Sequence, residues 1–307
     1  MPDPNPNFIV PVGTQIVTEV AIKATNGDIL FASGVVGIVI KAPVDSTHAY
    51  RVRFMDGTEI SLNRREFTIN KLFQNPLAPD SWLSDFDLKQ CVIYQCVVGS
   101  RAYGLDEEGS DVDQRGIYLP PADLHWSLYG VPEQLEDEEK QQCYWELQKF
   151  LTLALKGNPN ILECLYTPLV EMATPLAEEL LAIRSIFLSK LIYQTYNGYV
   201  MSQFHKLEHH LKNYGTIKWK HAMHLIRLLL SGIIALDEGY IPVRVEQYRD
   251  RLLSIRREEV SWDEVNEWRK QLHQQFDTAY EKTALPARPD YERANQYLIH
   301  ARRSAAK

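Results

Sequence analysis

Gly99-Ser100 and, after a short acidic loop, Asp111-Val112-Asp113 combine an anion-binding turn with a pair of carboxylates. The apolar run Val92 to Val98 precedes Gly99 and Ser100, so the two end a strand in a tight turn. Backbone N–H groups and a hydroxyl in such a turn can face phosphate oxygens. Asp111 and Asp113 open a second apolar strand, Val112 to Leu119. Strand side chains two apart share a face, so both carboxylates are expected to converge in front with Val112 anchored behind. Hard divalent cations take that geometry. Magnesium prefers oxygen ligands and is held by one or two carboxylates plus substrate phosphates. An Asp-x-Asp alone is common at solvated strand ends, and a Gly-Ser turn alone says less. It is their order, with Arg115 on the aspartate face, that outlines a nucleotide-transfer site.

Three regions must position these residues. Residues 1–75 read as a small β-barrel accessory domain: runs such as Gly34 to Ile40 and Tyr50 to Phe54 alternate with turn signals at Asn26-Gly27 and Asp56-Gly57, which suits an SH3-like barrel of about five strands. Asn75-Pro76-Leu77-Ala78-Pro79-Asp80 reads as a linker. Residues 76–175 read as the catalytic domain, an α+β layer whose helix Glu146–Lys156 stops at Gly157-Asn158-Pro159 and is followed by a short helix, Ile161–Tyr166. Residues 176–307 read as a helical domain closing the cleft. Helices are expected over Leu176–Tyr199, Met201–Lys212 and Lys218–Glu238, the last ended by Gly239, and another from Ser261 toward Thr278. The tail from Ala301 is expected to fray.

With 45% hydrophobic and 10% aromatic residues in 307, the chain can fill packed cores. A net charge of −7 argues against whole-surface affinity for nucleic acid. Charge is uneven, however. From His205 to Arg227, four lysines and Arg227 stand against the single acid Glu208, with five histidines between them. On a helix Lys220, His224 and Arg227 share one face, which reads either as a solvated face or as a cationic wall for triphosphate or an RNA backbone. His221 and His224 lack further zinc ligands at suitable spacing. Cys91, Cys96, Cys143 and Cys164 sit in or beside apolar runs, as buried free thiols of a reducing compartment do. No stretch approaches the roughly 18 apolar residues needed to span a bilayer, and Met1 to Pro6 does not resemble a signal peptide, so a soluble cytoplasmic protein is expected.

The pattern Gly-Ser followed by Asp-x-Asp resembles that of the DNA polymerase β-type nucleotidyltransferase superfamily. The fuller string Gly99 to Gly104 and Ser110 to Tyr118 resembles one branch, the predicted nucleotidyltransferases of the RNA-repair-pathway polymerase β family. Trp145 to Phe150, Gly157 to Glu163 and Lys220 to Leu229 extend the likeness, which covers about residues 90 to 260 and does not reach the first eighty. It implies a polymerase β-like mixed sheet and transfer of an NMP from an NTP to an acceptor hydroxyl, with RNA ends as the acceptor class. Transfer to a protein or small molecule, or a non-catalytic nucleotide- or RNA-binding module, is the alternative. Two magnesium ions, with manganese as a substitute, would be held by Asp111 and Asp113. The superfamily's third carboxylate falls to Glu146 by preference, with Glu163 as the alternative. Gly99 and Ser100 would hold the triphosphate, with Arg101, Arg115, Lys220, His224 and Arg227 as further phosphate-directed residues. Arg115 reads equally well as a salt bridge orienting an aspartate.

Overall fold

The structure, a computed structural model, describes residues 10–23, 29–43, 48–70, 83, 86–137 and 139–306. The chain forms two compact units, residues 1–85 and 86–307.

The first unit is all β: β1 (Gln15–Thr18), β2 (Ile22–Lys23), β3 (Ile29–Phe31), β4 (Val36–Lys41), β5 (Tyr50–Phe54), β6 (Glu59–Leu62) and β7 (Phe67–Ile69). Alternation sorts its faces. Tyr50, Val52 and Phe54 point inward with Ile16, Val39, Leu62 and Phe67, while Arg51 and Arg53 point out. The Asp56-Gly57 signal sits at the β5–β6 turn, where Gly57 has φ +86° and Asp56 accepts from the Thr58 amide and hydroxyl. Strand order is β6-β5-β4-β1-β7, antiparallel throughout, with β2 and β3 as a separate ribbon. Among the described residues no ladder joins β6 to β7. Asn26-Gly27 and the Asn75 to Asp80 linker lie outside the described residues.

The second unit opens with β8 (Val92–Val98), α1 (Gly99–Tyr103), β9 (Asp113–Tyr118), α2 (Ala122–Trp126), β10 (Gln134–Asp137), β11 (Gln142–Glu146), α3 (Leu147–Leu155), α4 (Pro159–Tyr166) and β12 (Val170–Ala173). The sheet runs β10-β11-β9-β8-β12 and is mixed, because β9 and β11 are parallel. β8 and β9 approach so closely at Gly116 that a Cβ there would lie 2.0 Å from the Tyr94 carbonyl oxygen. Six segments follow: α5 (Pro175–Ala182), α6 (Leu191–Tyr214), α7 (Trp219–Glu238), α8 (Arg249–Arg256), α9 (Trp262–Lys282) and α10 (Tyr291–Ser304). Gly239 caps α7 in the left-handed conformation, and Ser261 with Glu264 forms a capping box on α9.

Three expectations are corrected here. Helical periodicity alone placed a break near Val200. The chain instead interrupts at Arg184 to Lys190, where the Ile186 carbonyl accepts from Asp290 and the Lys190 amide donates to Pro286, so tertiary partners replace helical bonds. α6 then runs through, with Ile192, Tyr196, Val200, Phe204 and Leu207 buried. The tail does not fray from Ala301: Ala301 is fully buried and Arg302 pairs with Glu146. Finally, one core extends from Tyr94 to Ala301, so the expected boundary at residue 175 separates layers of a single unit.

Candidate active site

The strand-turn-strand unit is built around one glycine. Gly99 takes φ +73°, and a Cβ there would lie 2.6 Å from Asp113 Oδ2. Only glycine lets the start of α1 lie against the carboxylate that Val98 brings into register from β9. Gly104 caps α1 with φ +71°, and the acidic loop folds back: Arg101 donates to the Ser110 carbonyl at 3.0 Å and the Glu107 amide to Ser110 Oγ at 3.0 Å. β9 begins at Asp113, not at Val112. Asp111 is exposed and Val112 is 37% exposed, so Val112 is not the anchor its apolar character suggested. The aspartates lie at the free end of the strand.

Both face a cleft of about 740 Å³ within this unit. Gly99, Ser100, Asp111 and Asp113 line one side, and Lys218, Lys220, His221 and His224, from the start of α7, line another. Arg101 and Arg115 do not line it. Arg101 straps the loop. Arg115 donates to the Gln114 and Gln141 carbonyls at 2.8 and 2.9 Å and approaches Asp113 Oδ1 at 3.4 Å, so it orients the acid.

Neither candidate for the third carboxylate is in the cleft. β11 runs parallel to β9 with Gln142 opposite Gln114 and Glu146 opposite Tyr118. Glu146 is therefore five strand residues, about 16 Å, beyond Asp113 and on the other face of the sheet. It caps α3, accepting from the Gln148 amide at 2.8 Å, and pairs with Arg302. The level of β11 beside Asp113 carries Gln141 and Gln142 instead. Glu163 is 2% exposed; its Oε1 accepts from Arg227 at 2.7 Å and its Oε2 from the Tyr103 hydroxyl at 2.6 Å. Each glutamate is buried and paired with an arginine. Among the described residues no group of three or more His, Cys, Asp or Glu side chains forms a metal cage. Asp111 and Asp113 beside the Gly99 turn offer two carboxylates, with Glu107 and Glu108 also lining the cleft, a donor set that fits magnesium completed by phosphate oxygens and water.

Arg227 leaves the cationic stripe. It is fully buried, its guanidinium carbon 3.6 Å from the centroid of the Tyr103 ring, as the third member of the Glu163 cluster. Burial pushes the Tyr103 phenol well above its ordinary pKa, so it remains a donor. The helical face is as expected, but it descends into the core after His224. Burial, with Arg227 and His221 adding to it, holds His224 down at about 3, and burial with Lys218 and Lys206 lowers His221. Both shifts favour the neutral imidazole near neutral pH.

Several lining residues escaped notice in the sequence. Trp219, Glu107 and Arg256 also line the cleft; Arg256 donates to the Leu105 carbonyl at 2.8 Å and lies 3.4 Å from Glu107. No local pattern marks Arg256, which is about 150 residues from its partners.

A mixed sheet whose first strand turns through Gly-Ser into a short helix, with Asp-x-Asp leading into the antiparallel neighbour beneath a cleft, defines a polymerase β-type nucleotidyltransferase fold. The chain belongs to the RNA repair pathway DNA polymerase beta family, RlaP, whose family model matches residues 82–300. It is also similar to the uncharacterized protein YcgL of Bacillus subtilis (strain 168), 34% identical over 102 residues, which is 31% of this chain and 38% of YcgL. The chain thus spans well under half the length of that relative. No solved structure matches it significantly. Among the described residues no helix is long and apolar enough to cross a membrane.

Proposed function

We propose that the chain is a magnesium-dependent nucleotidyltransferase that moves an NMP from an NTP to an acceptor hydroxyl, with an RNA end as the acceptor. The observation that carries this reading is one cleft with Asp111 and Asp113 on one side and Lys218 and Lys220 on another. In the reaction an acceptor oxygen bonds to the α-phosphorus, the bond to pyrophosphate breaks, and the hydroxyl proton is lost. Little covalent work falls to the protein, which must position and neutralise.

Ser100 and the backbone at the start of α1 orient the triphosphate, and Lys218 and Lys220 neutralise its charge from across the cleft. Arg115 holds Asp113 in place. Asp111 and Asp113 would hold magnesium, or manganese in its stead, and that ion when bound supplies Lewis acidity at phosphate oxygens. With Asp111 and Asp113 as the ligating pair, a second ion would depend mainly on the triphosphate and water for its ligands. RNA as acceptor follows from the family's description and from the lysines on this wall. The first unit, read as an SH3-like barrel, offers Lys41 and Arg51 in a separate hollow to RNA or protein. The four free thiols suit a cytoplasmic setting.

Incubation with each α-labelled NTP, magnesium and a cell lysate, followed by fractionation, tests the reading. Label is expected in RNA. Label in protein or small molecules instead would overturn the acceptor, and no label in any fraction would favour a binding module.

A further inference from the structure

We propose that the groove between the last turns of α6 and the first turn of α7 is an acceptor-strand site, which seats single-stranded RNA and leads its reacting end into the cleft. The proposal rests on the nucleotidyl-transfer reading and names where the second substrate lies. The groove has a volume of about 330 Å³. Lys206, His209, His210 and Tyr214 line it from α6, and Lys218 and His221 from the start of α7. Lys218 and His221 also line the reactive cleft, so the two cavities adjoin.

Charge and shape select the occupant. Among the described residues no carboxylate lines the groove, in a chain whose net charge is −7. Glu208, the acid of this part of α6, lies 3.8 Å from His205 and 3.9 Å from Arg269. Lysines alone would serve any polyanion. Tyr214 narrows the choice: it is 71% exposed at the end of α6, with the His210 ring 4.8 Å away between centroids. The Thr216 hydroxyl and the His210 ring nitrogen Nε2 are within hydrogen-bond distance at 3.2 Å, which steadies that ring. An open aromatic surface beside lysines is how single strands are held without sequence choice, bases stacked and phosphates neutralised. An acidic protein segment would leave the exposed rings unused. A lone nucleotide is already accommodated by the cleft, and a transfer reaction needs room for two substrates.

The test uses the full chain and a fluorescein-labelled single-stranded 12-mer RNA, with binding followed by anisotropy at several salt concentrations and no NTP. Lys206→Ala/Tyr214→Ala, and separately His210→Ala, change residues that do not line the cleft. We expect the double variant to bind RNA about ten-fold more weakly, with a log–log salt slope shallower by about 0.7 for the lost lysine. NTP affinity by calorimetry should be unchanged, and in transfer assays KM for RNA should rise while kcat holds. Unchanged RNA affinity and slope in both variants would overturn the groove while leaving transfer intact. Equal competition by polyglutamate would overturn the polynucleotide as occupant. Weakened RNA binding in a protein that labels no RNA would uphold the groove and refute the transfer reading.

Discussion

Asp111 and Asp113 on one hand, Glu146 and Glu163 on the other, are four acids of similar intrinsic chemistry that the fold treats in opposite ways. The aspartates stand at the open end of β9 beside a glycine turn, with Arg115 in loose contact. Each glutamate is buried against one arginine, Glu146 with Arg302 and Glu163 with Arg227. A carboxylate whose charge is already matched inside the protein has no affinity left for a cation, and moving it would expose an unpaired arginine. What separates a metal-binding acid from a structural one is therefore its neutralisation and access.

The sharpest way to break that comparison is to neutralise the aspartates. Asp111→Asn or Asp113→Asn should lower label transfer by about 10³-fold or more with little change in thermal midpoint, because only charge facing the cleft is lost. Turnover close to wild type in both would erase the distinction.

The buried pair should behave in reverse. Arg227→Met leaves Glu163 buried and uncompensated, a loss of roughly 3–5 kcal/mol. For a unit of this size the midpoint should fall by about 6–20 °C in scanning calorimetry. Arg227→Met/Glu163→Leu should recover much of that loss, since the penalty belongs to the unpaired charge. Failure to recover would mean that the Tyr103 contact, and not charge balance, dominates.

His224 sharpens the comparison through pH. Burial holds its folded-state pKa at about 3, whereas an unfolded imidazole titrates near 6.5. Below about pH 6.5 the unfolded chain takes up a proton that the native chain does not, so stability is full above that pH and declines toward pH 3. His224→Gln should remove roughly 1–3 kcal/mol of this decline between pH 7 and pH 4. Burial also lowers His125, His221 and His273, so the readout is the difference in midpoint-versus-pH curves between variant and wild type. Parallel curves would show that His224 is not the proton-linked group.

The smallest effect is expected at Glu146. Glu146→Gln keeps part of the cap on α3 and removes the carboxylate charge that balances Arg302, for about 1–2 kcal/mol. The rate constant for transfer should stay within about twofold, an expectation for a residue about 16 Å along the strand from Asp113. A large fall in rate with unchanged stability would return Glu146 to the catalytic set.

Much of the site could be read from local pattern. β8 ends where Gly99-Ser100 follows its apolar run, α3 stops before Gly157, and Gly239 and Ser261 mark helix ends, because strand alternation, left-handed glycine and capping act within a few residues. Glu146 misled for a comparable reason. It stands at a strand-to-helix junction, where an N-cap and a ligand position look alike in sequence, and only the parallel register of β11 against β9 shows that it lies at the wrong end.

The Gly99 turn, the approach of Asp113 to it and the basic start of α7 are local properties, since each depends on residues close together in the chain. Tertiary structure alone decided which charges remain available. Glu163 and Arg227 are 64 positions apart, Glu146 and Arg302 are 156 apart, and Arg256 reaches the Leu105 carbonyl across 151. Burial and counter-charge come from whatever the fold brings alongside, and a one-dimensional pattern holds no record of those neighbours.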